Sequence, residues 1–297
     1  MKYASVSFLF LIFCFGCGKK PEPPVLRMFC CETYWTVMKE ETALFAGVYG
    51  VRIRLLPIGV VNAVEPAPQE SETASKRRSP APWRTRPTEQ QTLIPGKVTL
   101  NVQIRELITS ITDRARYGDM YLTDSSKQAE LLREGAAVAV EYPFCVLTLT
   151  LLVAKDNPLQ VDSVNSLLDA NRRLGIVEPS LDGMGETAFH LISKYLRVSG
   201  EGRFDGRIVL FDKHVNLLAA LRNQEVDAAL VWEPLALEAA EFAEVIELPA
   251  EERLAVRQPL LALSMAANQA YAKRFADFLI SPRGREILRI HGFTPSK

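Results

Sequence analysis

The chain has 297 residues, 48% of them hydrophobic, which is enough for one large domain or two smaller lobes with a substantial core. Its 35 Lys and Arg residues balance its 35 Asp and Glu residues, so the formal net charge is zero. This balance excludes a protein that binds nucleic acid or an acidic membrane through its overall charge, and any recognition must therefore be local.

The N-terminal sequence predicts export. The apolar run at residues 8–15 is too short to span a bilayer as a helix. The Gly-Cys17 pair that follows it is typical of a bacterial lipoprotein signal, with Cys17 as the lipidated residue, and the alternative is an ordinary cleaved signal peptide. We therefore expect a lipoprotein signal peptide at residues 1–17 and a tether at residues 18–24. The chain would then be lipid-anchored in the cell envelope, in the periplasm or on the outer face of the membrane.

Predicted strands and helices alternate along the rest of the chain. Residues 25–29 predict a first strand, residues 33–48 a helix with Thr33 as its N-cap, and residues 51–55 a second strand. A strand–helix–strand unit with such short loops is typical of a parallel sheet. Residues 65–97 are rich in Pro, Ser, Thr and charged residues, so we expect a flexible insertion there.

The second half of the chain repeats this pattern after a long apolar run at residues 144–154, which predicts a strand that crosses between two lobes. The further predicted elements are strands at residues 119–123, 173–177, 207–210, 228–232, 244–248 and 260–265, and helices at 127–134, 186–198, 214–222 and 270–291, the last split at Pro282. We therefore predict an α/β fold of two lobes, each a mostly parallel sheet flanked by helices. The first lobe would comprise residues 25–148 and 246–297, and the second residues 149–245.

A cleft between two such lobes is the expected ligand site. The loop that contains Gly183-Met184-Gly185 lies between a predicted strand and a helix, where glycines allow close backbone approach and free N–H groups attract an anion. The spacing does not match a dinucleotide or phosphate-loop motif. Val215 lies in the first turn of the next helix, and Trp232 follows a strand, where ligand contacts of open α/β sheets occur. A half-buried structural Trp is an equally good interpretation.

The cysteines leave a choice open. Outside the signal segment the chain has Cys30, Cys31 and Cys145, too few for a disulfide scaffold, and Cys145 lies in an apolar run that predicts burial. Cys30 and Cys31 either pack in the core or bind a soft or transition metal together with Glu32 and His214.

Five segments resemble a known family: GDMYLTD at 118–124, LTLLVAKDNP at 149–158, GIVEP at 175–179, DAALVW at 227–232 and FADFLISPRGREIL at 275–288. They are similar to the periplasmic solute-binding proteins of ABC transporters, with the two-lobed type 2 fold, and most closely to the molybdate-binding group. The resemblance covers about residues 25–295 apart from the insertion. It implies a tetrahedral oxyanion held by hydroxyl and backbone N–H groups of both lobes and delivered to an ABC permease.

Carried over residue by residue, the resemblance places Thr33 at a hydroxyl position of the first lobe. Met184 and Val215 fall on backbone positions of the second lobe, and Trp232 falls where the family has Tyr. A second Ser position of the first lobe has no match. The candidate ligand-binding residues are Thr33, Gly183, Met184, Gly185, Val215 and Trp232, with Cys30, Cys31, Glu32 and Asp124 as possible additions.

The main hypothesis is therefore a monomeric, lipid-anchored solute-binding protein that captures a molybdate-like or tungstate-like oxyanion for an ABC transporter and needs no cofactor. The first alternative is a soft or transition metal-binding protein that uses Cys30 and Cys31. An enzyme on the same fold is a further alternative, but the sequence shows no catalytic constellation and its three histidines lack metal-ligand spacing. The last alternative is a sensor without a transport role.

Overall fold

The structure is a computed structural model that describes residues 24–58, 111, 113, 115–179, 183–195 and 206–297. The predicted signal peptide with Cys17, nearly all of the tether and the insertion at residues 65–97 lie outside the described residues. Within the described part of the chain, no helix is long and apolar enough to cross a membrane.

Strands and helices alternate as the sequence pattern indicates. The strands are β1 (Val25–Cys30), β2 (Arg52–Pro57), β3 (Met120–Leu122), β4 (Val138–Ala154), β5 (Leu174–Val177), β6 (Ile208–Phe211), β7 (Ala228–Trp232), β8 (Ala243–Ile246), β9 (Ala255–Leu263) and β10 (Thr294–Pro295). The helices are α1 (Trp35–Tyr49), α2 (Ser126–Glu134), α3 (Val164–Asp169), α4 (Gly183–Ile192), α5 (His214–Arg222), α6 (Glu233–Ala236), α7 (Gln269–Leu279) and α8 (Pro282–Ile290).

The long strand β4 belongs to two groups of paired strands. From Val138 to Thr148 it pairs antiparallel with β9, and β9 continues through β3 and β1 to β2. From Leu149 onward it pairs antiparallel with β7 and β8, and β7 continues through β5 to β6. We call the first group and its helices the first lobe, and the second group and its helices the second lobe. A chain built this way can bend where β4 passes between the lobes.

Apolar burial fixes the helices on each lobe. On α1 the side chains of Val37, Met38 and Phe45 are buried on one face. The Phe45 ring packs against Phe275 and Phe278 of α7, with ring centroids 4.9 Å and 5.5 Å apart. Burial of such aromatic side chains contributes about 1.5–3 kcal/mol each. These contacts hold α1 and α7 together on the first lobe.

Two of the predicted helix starts are wrong. Residues Glu32–Tyr34 form a separate 3-10 turn and α1 begins at Trp35, so Thr33 is not the N-cap of this helix. The predicted loop at Gly183-Met184-Gly185 is instead the first turn of α4. In both places a contact across the cleft, described below, accounts for the difference.

The split of the C-terminal helical segment is confirmed. Proline at position 282 cannot donate a helical hydrogen bond, and it occupies the first turn of α8. The Ser281 hydroxyl accepts a hydrogen bond from the backbone N–H of Gly284 at 3.3 Å and caps the new helix.

Candidate functional site

Strands of both lobes end where the two lobes meet. In the first lobe, β1 leads to Thr33 and β3 leads to Asp124, whereas in the second lobe β7 ends at Trp232 and β5 precedes α4. β1 and β3 run parallel, as do β5 and β7, so in each lobe the carboxyl ends of these strands lie along one edge of the sheet. The carboxyl ends of strands are where open α/β sheets place their ligand contacts.

One carboxylate oxygen joins the two lobes. The Thr33 hydroxyl donates a hydrogen bond to Oδ2 of Asp124 at 2.7 Å, and the Trp232 indole N–H donates to the same oxygen at 3.0 Å. Asp124 is 3% exposed and Trp232 is 0% exposed, so this junction lies away from solvent. The interpretation of Trp232 as half-buried is therefore wrong. Two predicted site residues converge on a third that was named only as a possible addition.

The start of α4 packs directly on the Asp124 backbone. A Cβ atom built on Gly183 would overlap the carbonyl group of Asp124 and the Cα atom of Ser125. One on Gly185 would overlap the carbonyl oxygen of Val177. Only glycine at position 183 allows the two lobes to approach this closely, whereas Gly185 allows α4 to pack closely on the end of β5 within the second lobe.

Met184 and Val215 have different environments. Met184 is buried, and its sulfur accepts a hydrogen bond from the backbone N–H of Trp232 at 3.1 Å. Val215 is 46% exposed in the first turn of α5. The structure thus places Met184 inside the contact between β7 and α4, whereas Val215 lies at the surface.

The sequence interpretation missed Gln258. Its side-chain amide on β9 is 2% exposed and donates a hydrogen bond to the backbone carbonyl of Asp124 at 2.9 Å. A buried amide needs such a partner. The available signal was a Gln within the otherwise apolar segment that forms β9, but the acceptor lies 134 residues away in sequence.

His214 and Glu32 form a second link between the lobes. The imidazole Nδ1 lies 4.0 Å from Oε2 of Glu32 in the first lobe, and Nε2 lies 3.8 Å from Oε2 of Glu238 in the second. The His214 side chain is 9% exposed, whereas that of Glu32 is 56% exposed. Because Glu32 is open to solvent, this pair contributes less than about 1 kcal/mol.

The surroundings of the three described thiols do not favour a metal centre. Cys30, Cys31 and Cys145 are all buried, and burial raises the pKa of the Cys30 and Cys31 thiols far above neutrality, with the Asp124 charge raising it further. Burial also raises the pKa of Cys145 to about 12, although a hydrogen bond with Tyr34 opposes this shift. Metal ligation requires the thiolate. Within the described ranges, no group of three or more His, Cys, Asp or Glu side chains is arranged to hold a metal.

Neutral groups donate the hydrogen bonds that the Asp124 side chain accepts between the lobes. No Lys, Arg or His among the described residues forms an ion pair with Asp124, and its Oδ2 is held by a hydroxyl and an indole N–H. Hydrogen bonds to the charged form stabilise a buried carboxylate without a counter-charge. The arrangement can therefore hold one negatively charged oxygen between the lobes.

Comparison with solved structures shows the fold. The chain is similar to the periplasmic molybdate-binding protein of Azotobacter vinelandii (TM-score 0.61, 14% identity, covering 92% of this chain and 100% of that one). It is also similar to iron-bound HitA from Pseudomonas aeruginosa (TM-score 0.62, 15% identity, 92% and 86%) and to the sulfate-binding protein SubI from Mycobacterium tuberculosis (TM-score 0.62, 10% identity, 92% and 88%). The predicted two-lobed type 2 periplasmic binding protein fold is confirmed.

Sequence comparison adds the family. No curated protein matches the chain. The family model of the bacterial extracellular solute-binding proteins matches residues 101–294, which is more than half of the chain and includes the second lobe and part of the first. The chain therefore belongs to the bacterial extracellular solute-binding proteins.

Proposed function

We propose that this protein captures a small oxyanion of the molybdate or tungstate type in the cleft between its lobes and delivers it to an ABC permease. The observation that carries the proposal is the convergence of the Thr33 hydroxyl and the Trp232 indole N–H on one carboxylate oxygen. These donors come from opposite lobes, so a ligand that accepts both hydrogen bonds also draws the lobes together.

The neutrality of the donors supports an oxyanion over a metal cation. Neutral donors provide positive ends of dipoles, and in a buried site these interactions are stronger than in water. A cation would require several anionic ligands, and within the described residues no group of three or more His, Cys, Asp or Glu side chains is arranged to hold one. The nearby thiols are poor candidates, because burial keeps the pKa of Cys30 and Cys31 well above neutrality.

The rest of the proposal concerns delivery. The lobes would close by bending where β4 passes from β9 to β7 near Leu149. We further propose that the protein acts as a monomer without catalysis or a cofactor, and that a lipid on Cys17 holds it at the membrane. The candidate ligand positions remain those at Thr33, Trp232 and the start of α4.

Neighbouring structures named for iron and for sulfate make ligand choice the decisive test. Thermal unfolding of the purified chain would be followed with molybdate, tungstate, sulfate and phosphate, and separately with ferric iron and zinc. A ligand at about 100 times its dissociation constant stabilises the native state by about 2.7 kcal/mol, so we expect a shift of several degrees with molybdate or tungstate. Stabilisation by metals alone would reject the oxyanion and favour the metal-binding alternative.

A further inference from the structure

Asp124 makes the contacts expected of a bound anion. Its Oδ2 accepts one hydrogen bond from each lobe, at 2.7 Å from Thr33 and 3.0 Å from Trp232. These are the two side-chain donors that the proposed function assigns to the oxyanion. A free oxyanion and the Asp124 carboxylate therefore compete for the same two donors, the Thr33 hydroxyl and the Trp232 indole N–H.

The backbone around Asp124 supports this position. Its carbonyl oxygen accepts a hydrogen bond from Gln258, and Gly183 of the second lobe packs against the same carbonyl. In addition, the Ser125 hydroxyl lies 3.5 Å from Oε2 of Glu186 on α4. The segment after β3 thus reaches across the cleft with both its backbone and its side chains.

A second buried aspartate shows what an ordinary structural carboxylate does. Asp119 is also 3% exposed, and its two oxygens accept backbone N–H groups from Arg27 at 2.8 Å and Asn268 at 3.2 Å. Both donors belong to the first lobe, so Asp119 ties one lobe to itself. Asp124 differs because one of its donors belongs to the other lobe.

We propose that the Asp124 carboxylate is a tethered anion that occupies the oxyanion position of the cleft, so that the side chain sets which solutes can enter. This proposal rests on the proposed function only for the identity of the competing solute. A dissolved oxyanion must displace the carboxylate before it reaches Thr33 and Trp232. Because the tethered group is always present at high effective concentration, it selects against weakly binding anions.

The test removes the tethered carboxylate and supplies a free one. Asp124→Ala leaves space for a small carboxylate beside both donors, and Asp119→Ala is the matched control for loss of a buried aspartate. Thermal unfolding of the full chain and both variants would be followed in chloride-free buffer with and without about 100 mM sodium formate. Molybdate affinity would be measured for all three proteins by calorimetry.

We expect Asp124→Ala to unfold at a lower temperature than the wild type and to regain several degrees in formate. The wild type should show little response, because Asp124 already occupies the donors at the contact between the lobes. Asp119→Ala frees donors only within the first lobe, so any formate response there should leave its molybdate affinity at the wild-type value. We also expect Asp124→Ala to bind molybdate at least about tenfold more tightly than the wild type. An equal formate response in all three proteins would overturn the tethered-anion proposal.

The experiment distinguishes a failure of the tethered-anion proposal from a failure of the proposed oxyanion function. Formate rescue confined to Asp124→Ala supports the tethered anion even if molybdate binds to none of the proteins, in which case the oxyanion function fails. Equal molybdate affinity in all three, without formate rescue, supports the function and overturns the tethered anion. If Asp124→Ala folds only in formate, that dependence is itself the expected result. Asp124→Ser, which also opens space beside the donors, would be judged by the same criterion.

Discussion

Two buried carboxylates of the first lobe differ in their hydrogen-bond partners. Asp124, 3% exposed, gives one oxygen to a hydroxyl and an indole N–H. Glu41 on α1 is 0% exposed, and neither of its oxygens has a hydrogen-bond partner among the described residues. Burial, together with the Glu40 charge and against the opposing Arg283 charge, raises the pKa of Glu41 to about 8.

The hydrogen-bond donors around each carboxylate distinguish a potential binding site from a group whose burial only destabilises the fold. Donors that converge on Asp124 stabilise a negatively charged oxygen, which is what an anion site must do. Around Glu41 the described residues offer no such donors, so the charged form is disfavoured. Burial alone therefore does not identify a functional carboxylate; the arrangement of its donors does. The variants below test this contrast in order of expected effect.

Gly183→Ala should have the largest effect on the Asp124 region. The added Cβ would overlap the Asp124 carbonyl. Because the overlap is with backbone atoms, it cannot be relieved by a side-chain rotation. We expect the lobes to remain apart, which small-angle X-ray scattering would detect as a larger radius of gyration. Gly47→Ala is the matched control, because a Cβ there has no atom within 4 Å. A closed scattering profile for Gly183→Ala would contradict the close packing described here.

Trp232→Phe tests the second-lobe donor. It removes the indole N–H that reaches Asp124, and a hydrogen bond to a charged group contributes about 1.5–3 kcal/mol. We expect chemical denaturation to show a loss in that range, together with weaker molybdate binding. Trp35→Phe, at a partly buried position on α1, should change stability by a smaller amount. Unchanged stability and molybdate affinity in Trp232→Phe would remove Trp232 from the site.

Glu41→Met should instead stabilise the protein. The folded pKa of about 8 exceeds the ordinary value of 4.5, so the folded state holds its proton more tightly than the unfolded state. The contribution of Glu41 to the free energy of unfolding is therefore fully present below about pH 4.5. It decreases as the pH rises towards 8 and is constant above that. We expect Glu41→Met to gain about 1–3 kcal/mol in denaturation at pH 9 and little at pH 4.

The neighbouring Glu40→Gln is the control for this effect. Glu40 lies at the surface and pairs with His291 at 2.8 Å, and exposed pairs contribute about 0–1 kcal/mol. Its stability should therefore still fall as the pH rises, by a smaller amount than in the wild type, because the Glu40 charge contributes to the raised pKa of Glu41. If Glu41→Met also showed this fall, the Glu41 carboxyl would not be the group that titrates near pH 8.

Thr33→Val should have the smallest effect of the series. Valine keeps the shape but removes the hydroxyl that donates to Asp124, and Thr33 is only partly buried. We expect a loss of about 1 kcal/mol in denaturation. Thr36→Val, at an exposed position of α1, should stay within about 0.5 kcal/mol of the wild type.

Local patterns predicted the elements better than the site. The helix at residues 214–222 and the strand at residues 228–232 were expected from hydrophobic periodicity and have the same bounds in the structure. The start of α1 was misplaced because the Thr33 side chain bonds to a residue 91 positions away instead of capping the helix. A local motif cannot reveal such a competing acceptor.

The same limit applies to the cleft. Thr33 was chosen as a ligand donor through a family resemblance and Trp232 also from its place after a strand, and the structure brings them to one oxygen atom. The central role of Asp124 was not foreseen, since its indole donor lies 108 positions away in sequence. Gln258 was missed for the same reason. Contacts between lobes depend on how two separately folded sheets meet, which the hydrophobic pattern of each one does not specify.

The most direct test of an anion site between Thr33 and Trp232 is an anomalous diffraction map from crystals of Asp124→Ala grown with tungstate. We expect a tungsten peak between the lobes, with tungstate oxygens within hydrogen-bonding distance of Thr33 Oγ1 and Trp232 Nε1. A map without tungsten at this position, or with tungsten bound only elsewhere, would show that these two donors do not form an anion site.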